Sequence, residues 1–144
     1  MSVHQRIAIT GASGLIGTAL VGHLKAEGHT VQRLVRRAPV GADEVQWDPQ
    51  TGFVDLEPLR GVDAVIHLAG VGVGDKRWSK KYKSEILNSR LLGTTAIANA
   101  VTELKPQVFI SASAIGWYGE SGNRAVVETD RVGDDFLAAV CREW

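Results

Sequence analysis

The sequence predicts an α/β domain organised as a doubly wound parallel sheet, and three observations carry that expectation. Short β-branched apolar runs alternate with longer segments of helical spacing, the pattern of a parallel sheet with helices on both faces. Those runs are continuously apolar, because strands covered on both faces need not alternate with polar residues. Three glycines, Gly11, Gly14 and Gly17, stand where the first run passes into the first helical segment. The expected strand order is 3-2-1-4-5, with a ligand crevice where the order reverses.

Taken in order, Arg6–Thr10 (RIAIT) ends at Gly11 and reads as a buried strand. Leu15, Ile16, Leu20 and Leu24 fall near helical spacing over Leu15 to Lys25, and Gly28 lies where that helix would stop. Thr30–Val35 is the second strand, ended by Arg36, Arg37 and Pro39. Glu44–Asp48 is a short third strand, followed by a turn at Pro49–Gly52. Asp63–Leu68 (DAVIHL) is a buried strand that leads into the glycine-rich Gly70–Gly74. Ser79 to Leu104 is the longest helix, with Leu87, Leu91, Ala98 and Val101 on roughly one stripe, and Pro106 stops it. Gln107–Ser111 is a further buried strand. A loop rich in glycine and polar residues runs from Gly116 to Gly133, and a last helix begins near Asp134.

Composition narrows the function classes. The chain has 144 residues, and its 16 Lys+Arg are balanced by 16 Asp+Glu. One domain over residues 1–144 is the expectation at that length. Neutral charge gives no general footprint for nucleic acid or anionic membrane, so neither is an expected partner. The longest nearly apolar run, Val62 to Gly74, carries Asp63 and His67 and is shorter than the ~18 residues of a membrane span. The N-terminus enters a strand pattern at once, without a charged-then-apolar leader. The single cysteine, Cys141, excludes an internal disulfide framework and suits a reducing compartment. No metal site is expected, because His4, His23, His29 and His67 lack ligand spacing. His67, inside an apolar strand, reads as a hydrogen-bonded core or crevice histidine. Trp78 with Lys80, Lys81 and Lys83 reads as a solvated helix face. A cytoplasmic domain is the reading.

The sharpest signal is Thr10–Gly17, TGASGLIG, set between strand and helix. Free backbone N–H groups and the positive end of the helix dipole favour a dinucleotide pyrophosphate there. Gly11 permits the sharp turn, Gly14 removes a Cβ from the phosphates' path, and Gly17 allows close helix–strand packing. The candidate contacts are Gly11, Ser13, Gly14, Leu15, Ile16 and Gly17. A glycine triplet alone could be no more than a tight turn; the strand–loop–helix setting points to a Rossmann-like dinucleotide fold.

The end of the second strand bears on which dinucleotide. NAD sites place an acid there for the ribose 2′-OH, whereas this chain has Arg33, Arg36 and Arg37, and the first acid after them is Asp43. A guanidinium offers fork-shaped, charge-assisted hydrogen bonds to a 2′-phosphate. NADP is therefore expected over NAD, with Arg36 first, Arg33 or Arg37 next, and the Ser13 hydroxyl as a neighbour.

Together these residues resemble the extended branch of the short-chain dehydrogenase/reductase superfamily. TGASGLIG is similar to its cofactor loop, DAVIHLAG (Asp63–Gly70) to its fourth strand, LLGT (Leu91–Thr94) to the following helix, and FISASAIGWYG (Phe109–Gly119) to its fifth strand. WDP, RW, NSR, SASAIGWYG and DDFLAAVCREW together resemble a sugar-nucleotide epimerase-like subgroup. The resemblance implies that Leu68, Ala69 and Gly70 lie beside the cofactor's ribose and nicotinamide. It also implies that Asp48 could accept a hydrogen bond from the adenine amino group, with a turn role before Pro49 as the alternative. It implies hydride transfer at nicotinamide C4, with Tyr as acid/base, an adjacent Lys, and a Ser or Thr on the reacting oxygen. Ser113 matches that serine, with Ser111 as the fallback.

Two departures stand out. The Tyr-x-x-x-Lys pair is absent, since Ile86 and Gly122 follow Tyr82 and Tyr118 by four residues. Where the pair would open the last helix the chain reads Asp134-Asp135-Phe136-Leu137, and Tyr118 is the remaining phenol candidate, nearer in likeness to a Tyr-Gly packing position. Arg90 stands three residues before Gly93, where the branch often has Asn. It could anchor an anionic substrate or pair with a carboxylate. The expected function is an NADP-dependent oxidoreductase or epimerase-like domain acting on a small carbonyl or sugar-nucleotide substrate. The alternative is a non-catalytic NADP-binding module for sensing or scaffolding. The resemblance also implies a sixth strand and a substrate region further on, so the chain is expected to be the N-terminal part of a longer protein. The outer edge of its fifth strand would then be open to self-association.

Overall fold

The computed structural model describes residues 3–144, which divide into two compact units. The first contains the chain up to Gly70 together with Leu92–Ala112; the second contains Val71–Leu91 and Ser113–Trp144.

The first unit is a six-stranded sheet in the order β4-β3-β2-β1-β5-β6. Its strands are β1 Arg6–Thr10, β2 Thr30–Val35, β3 Glu44–Asp48, β4 Phe53–Val54, β5 Ala64–His67 and β6 Val108–Ser111. Five of them are parallel and follow the expected order; the sequence pattern does not reveal the sixth, β4, which pairs antiparallel with β3. The turn explains it. Asp48 accepts hydrogen bonds from Gln50 N and Thr51 Oγ1, and Gly52 at φ +77° completes the reversal, so Phe53 lies opposite Asp48.

Alternation along β1 sends its side chains to two cores. Ile7 and Ile9 pack with Val31 and Ala64 against Leu20, Val21 and Leu24 of helix α1, Leu15–Ala26. Ala8 packs with Leu34, Val45, Trp47 and Val65 against Ala96 and Ile97 of helix α2, Lys80–Leu104. Cover on both faces is why the strands read as continuous apolar runs. The strand β6 differs: Val108, Phe109 and Ile110 are 45%, 37% and 50% exposed.

Of the expected apolar stripe of α2, Leu87 and Val101 do pack against the cores, but Leu91 is exposed, and the residues that bury in the first unit are Gly93, Ala96, Ile97 and Ala100. Small side chains let a helix lie close to a sheet, which a count of leucines does not register. At Gly93 an added Cβ would stand 3.6 Å from both the His67 ring and Trp47.

In the second unit, Tyr82 and Ile86 of α2 bury with Val140 of helix α3, Phe136–Glu143. Asp135 caps α3 by accepting a hydrogen bond from Ala138 N at 2.8 Å, so the helix starts two residues beyond the expected Asp134. A 3-10 turn at Ile115–Tyr118 packs on α3, where a Cβ at Gly116 would meet Leu137 at 3.2 Å. No helix of the described residues is long and apolar enough to cross a membrane.

Candidate functional site

The glycine loop joins β1 to α1, and its three glycines answer to different constraints. Gly11 sits at φ +67°, and a Cβ there would be 2.8 Å from the Leu68 carbonyl carbon. At Gly17 a Cβ would collide with Gly11 O and stand 2.8 Å from Ala12 Cα, so only glycine lets α1 approach the turn. Gly14 is different. Its φ is −75°, open to any residue, and an added Cβ would meet nothing nearer than Gly11 O at 3.4 Å. Packing within the protein therefore does not demand glycine at position 14, whereas a phosphate seated on the helix end would.

Gly14 is also the N-cap of α1, with no side-chain cap and no acid in the first turn. The first N–H groups of the helix and its positive dipole end are thus unbalanced by any side chain at the cap or in the first turn. Ser13 is exposed beside them, and Leu15 and Ile16 are 93% and 68% exposed. An uncapped helix end flanked by exposed apolar side chains fits an anionic ligand with an apolar body.

The end of β5 is tied to this loop by Thr10. The Thr10 Oγ1 accepts hydrogen bonds from Leu68 N at 3.1 Å and Ala69 N at 3.2 Å, and lies 2.7 Å from His67 Nδ1. Two accepted bonds occupy the hydroxyl's lone pairs, so its proton goes to Nδ1 and His67 carries its own on Nε2. His67 is fully buried, edge-on to Trp47, and burial pushes its pKa down to about 4. The expected hydrogen-bonded core histidine is what the structure has. Sequence reasoning missed the role of Thr10, for which its position at a strand end just before Gly11 was the available signal.

Of the three arginines at the end of β2, two are engaged. Arg33 donates from Nε and Nη2 to Asp43, each at 2.9 Å, and Asp43 also takes Lys25 at 3.0 Å. These cations hold the Asp43 carboxyl well below the usual carboxylate range. Arg37 donates to both oxygens of Glu44, at 2.6 and 2.8 Å. Arg33 and Arg37, the second choices for the 2′-phosphate, are thus accounted for within the protein. Arg36 is exposed and has no ion pair among the described residues. Both Asp48 oxygens serve the β3–β4 turn, so the turn role is the one seen. Leu68 and Ala69 are half-buried and Gly70 is exposed.

The remaining candidates belong to the second unit. Ser113 is exposed and its hydroxyl has no partner among the described residues. Tyr118 is half-buried in the 3-10 turn, and the chain after it is close-packed: Gly119 at φ +63° would bring a Cβ 3.2 Å from Gly133 Cα, and Gly133 N donates to Trp117 O. Tyr82 is buried, with its hydroxyl donating to Gly72 O. Arg90 donates from Nη1 to Val71 O at 2.8 Å and to Ile86 O at 3.2 Å, and its guanidinium lies 4.8 Å from the centre of the Trp144 ring. Among the described residues it pairs with no carboxylate, which leaves the structural-pairing alternative without a partner.

Residues 7–135 match the model of the NAD dependent epimerase/dehydratase family. The chain belongs to that family. A relative from Mycobacterium leprae, Epimerase family protein ML0860, is 44% identical over 138 residues, which span 96% of this chain and 45% of the relative. The chain thus spans about half the length of the curated relatives it matches. Among solved structures, the nucleoside-diphosphate sugar epimerase from Corynebacterium glutamicum superposes with TM-score 0.84 at 39% identity, over 99% of this chain and 30% of that one. Human epimerase family protein SDR39U1, solved with NADPH, gives TM-score 0.82 at 29% identity, over 96% of this chain and 47% of that one. Within this epimerase/dehydratase chain the helix that follows the serine segment opens on Asp135 and Phe136. Asp135 serves as its cap, and Phe136 packs against Trp78 with ring centroids 5.3 Å apart.

Proposed function

We propose that this chain binds NADP(H), in preference to NAD(H), and contributes the cofactor half of an epimerase-like oxidoreductase. The single observation that carries dinucleotide binding is Gly14, a glycine that no internal contact requires, at the uncapped N-terminus of α1; the preference for NADP rests on Arg36. On this reading Gly11, Ser13, Gly14, Leu15, Ile16 and Gly17 hold the pyrophosphate, and Arg36 takes the 2′-phosphate. Asp48 sits near the adenine, while Leu68, Ala69 and Gly70 line the path toward the nicotinamide. The bound cofactor supplies hydride transfer at its nicotinamide C4.

Toward the substrate, Ser113 is the hydroxyl offered to the reacting oxygen, Tyr118 is the remaining phenol, and Arg90 is the cation for an anionic group. A small carbonyl or sugar-nucleotide substrate is the class that suits this set. Similarity to the nucleoside-diphosphate sugar epimerase of Corynebacterium glutamicum, and to the human protein solved with NADPH, supports the reading. A cytoplasmic location and self-association through the open edge of β6 belong to the same proposal.

A second reading has its own observation. Asp135 and Phe136 stand where an acid/base tyrosine is expected, and they are a helix cap and a packing residue. A protein without that proton donor would hold NADP for sensing or scaffolding. Titrating the protein with NADPH and NADH, read by nucleotide fluorescence and thermal shift, tests what both readings share. Ligand at about 100 times its Kd stabilises by about 2.7 kcal/mol, an unmistakable shift, and none with either nucleotide would end both. A panel of carbonyl substrates followed by NADPH oxidation, with Ser113→Ala as control, then separates them.

A further inference from the structure

Arg36 and Arg37 are equivalent on paper, yet the chain treats them oppositely. Thr10, the last residue of β1, is paired in register with Leu34, so Arg36 follows β2 at the end of the sheet where β1 passes into the glycine loop. It is exposed and has no ion pair among the described residues. Its neighbour Arg37 is held from both sides of its fork by Glu44, the first residue of β3.

The Glu44 carboxylate is built as an anchor. Its side chain is 2% exposed. It accepts hydrogen bonds from Arg37 Nη2 and Nη1 at 2.6 and 2.8 Å, Arg33 Nη2 at 3.3 Å, Val40 N at 2.8 Å and Gly41 N at 3.3 Å. Donors from β2, from the β2–β3 loop and from Arg37 thus converge on one buried acid. Lys25, Arg33 and Arg37 against Asp43 and Glu44 make three cations to two carboxylates, so the cluster adds no net negative charge beside a phosphate.

We propose that Glu44 is a positioning residue for cofactor discrimination. By pinning Arg37 and the Val40–Gly41 backbone to β3, it fixes the loop so that Arg36, and not Arg37, presents its guanidinium to the 2′-phosphate. The inference rests on the reading that this chain binds NADP. It assigns the sequence's two arginines separate roles, one as ligand and one as strut. A phosphate seated on Arg37 would have to share a fork already filled by a buried carboxylate, which the geometry disfavours.

The test is the ratio of Kd values for NADH and NADPH, measured by fluorescence titration for the wild type, Glu44→Gln, Arg36→Ala and the double variant. A charge-assisted hydrogen bond corresponds to a preference for NADPH of about tenfold or more in the wild type. Glu44→Gln should cut that ratio about fivefold while leaving NADH affinity within about twofold, since NADH lacks the phosphate Arg36 reads. In the Arg36→Ala background Glu44→Gln should change the ratio no further, the signature of a residue acting through another. Equal weakening of both nucleotides, an unchanged ratio, or an effect that persists without Arg36 would overturn the proposal. A wild type without preference would instead refute the NADP reading itself, and is seen before any substitution. Should Glu44→Gln not fold, Glu44→Asp keeps the charge but is one methylene too short to reach all its donors, and the same ratio decides.

Discussion

The residues around the glycine loop and the residues around Ser113 differ in how fully the protein itself satisfies them. At the loop, Thr10 binds the end of β5 and His67 is pinned through Nδ1. Gly11 and Gly17 are fixed by backbone that leaves no room for a Cβ. What the protein leaves unbalanced there is the end of α1 at Gly14 and the buried His67 Nε2, which has no hydrogen-bond partner among the described residues. Around Ser113, by contrast, the serine and Tyr118 hydroxyls have no partners among the described residues, while Asp135 and Phe136 are occupied by capping and packing. A region that is satisfied internally except at the buried His67 Nε2 and at one exposed helix end leaves that helix end for a ligand. A region of unpartnered hydroxyls keeps donors available but supplies no network to set their protonation, and general acid/base work needs one.

The contrast is most exposed at Gly17. Gly17→Ala drives a carbon into Gly11 O, and overpacking of that kind costs about 3 kcal/mol. Urea denaturation should show that loss, with nucleotide binding abolished alongside it. A stable Gly17→Ala protein would mean the loop is looser than its contacts imply.

The next largest effect is with pH. His67 titrates at about 4 when folded, against an ordinary value of 6.5, so the unfolded chain binds more protons between those limits. Stability should therefore be full above pH 6.5 and decline as pH falls toward 4, by about 3 kcal/mol in all. Glu44, held near 2 by Arg37 and the Val40 N–H, adds its own loss only below about 4.5. Chemical denaturation across that range should trace the decline, and His67→Gln should flatten it. A wild-type profile already flat between pH 4 and 6.5 would contradict the buried, neutral histidine.

Smaller effects follow. Thr10→Val keeps the shape but strands the N–H groups of Leu68 and Ala69, a loss of about 1–3 kcal/mol by urea midpoint. Ser113→Ala and Tyr118→Phe should leave stability within about 0.5 kcal/mol, because neither hydroxyl is bonded among the described residues. A loss above that in either would show the second region to be structurally built and erase the contrast.

Much of this was legible in the sequence, for identifiable reasons. The glycine loop and the five parallel strands announce themselves because apolar runs and glycine spacing are local signals. The strand β4 was hidden, since two residues carry no periodicity and depend on Asp48 and Gly52 to fold back. Within the stripe of α2, Leu87 and Val101 pack as the spacing predicts, whereas Leu91 is exposed because close approach favours Gly93, Ala96 and Ala100 over bulk. Glu44 and Thr10 were missed because their roles lie in hydrogen bonds to residues brought together by strand register. Arg36 and Arg37 could not be told apart until Glu44 was seen to hold one of them.

Binding of a nicotinamide dinucleotide at the glycine loop is tested most directly by Gly14→Ala. Its Cβ has room within the fold, so thermal and urea stability should fall by no more than the ~1 kcal/mol that alanine costs at a helix N-cap. NADPH affinity should nonetheless fall about tenfold or more, as the methyl group occupies the phosphates' approach to α1. An equally stable variant that binds NADPH as tightly as wild type would contradict the assignment of that helix end to the cofactor.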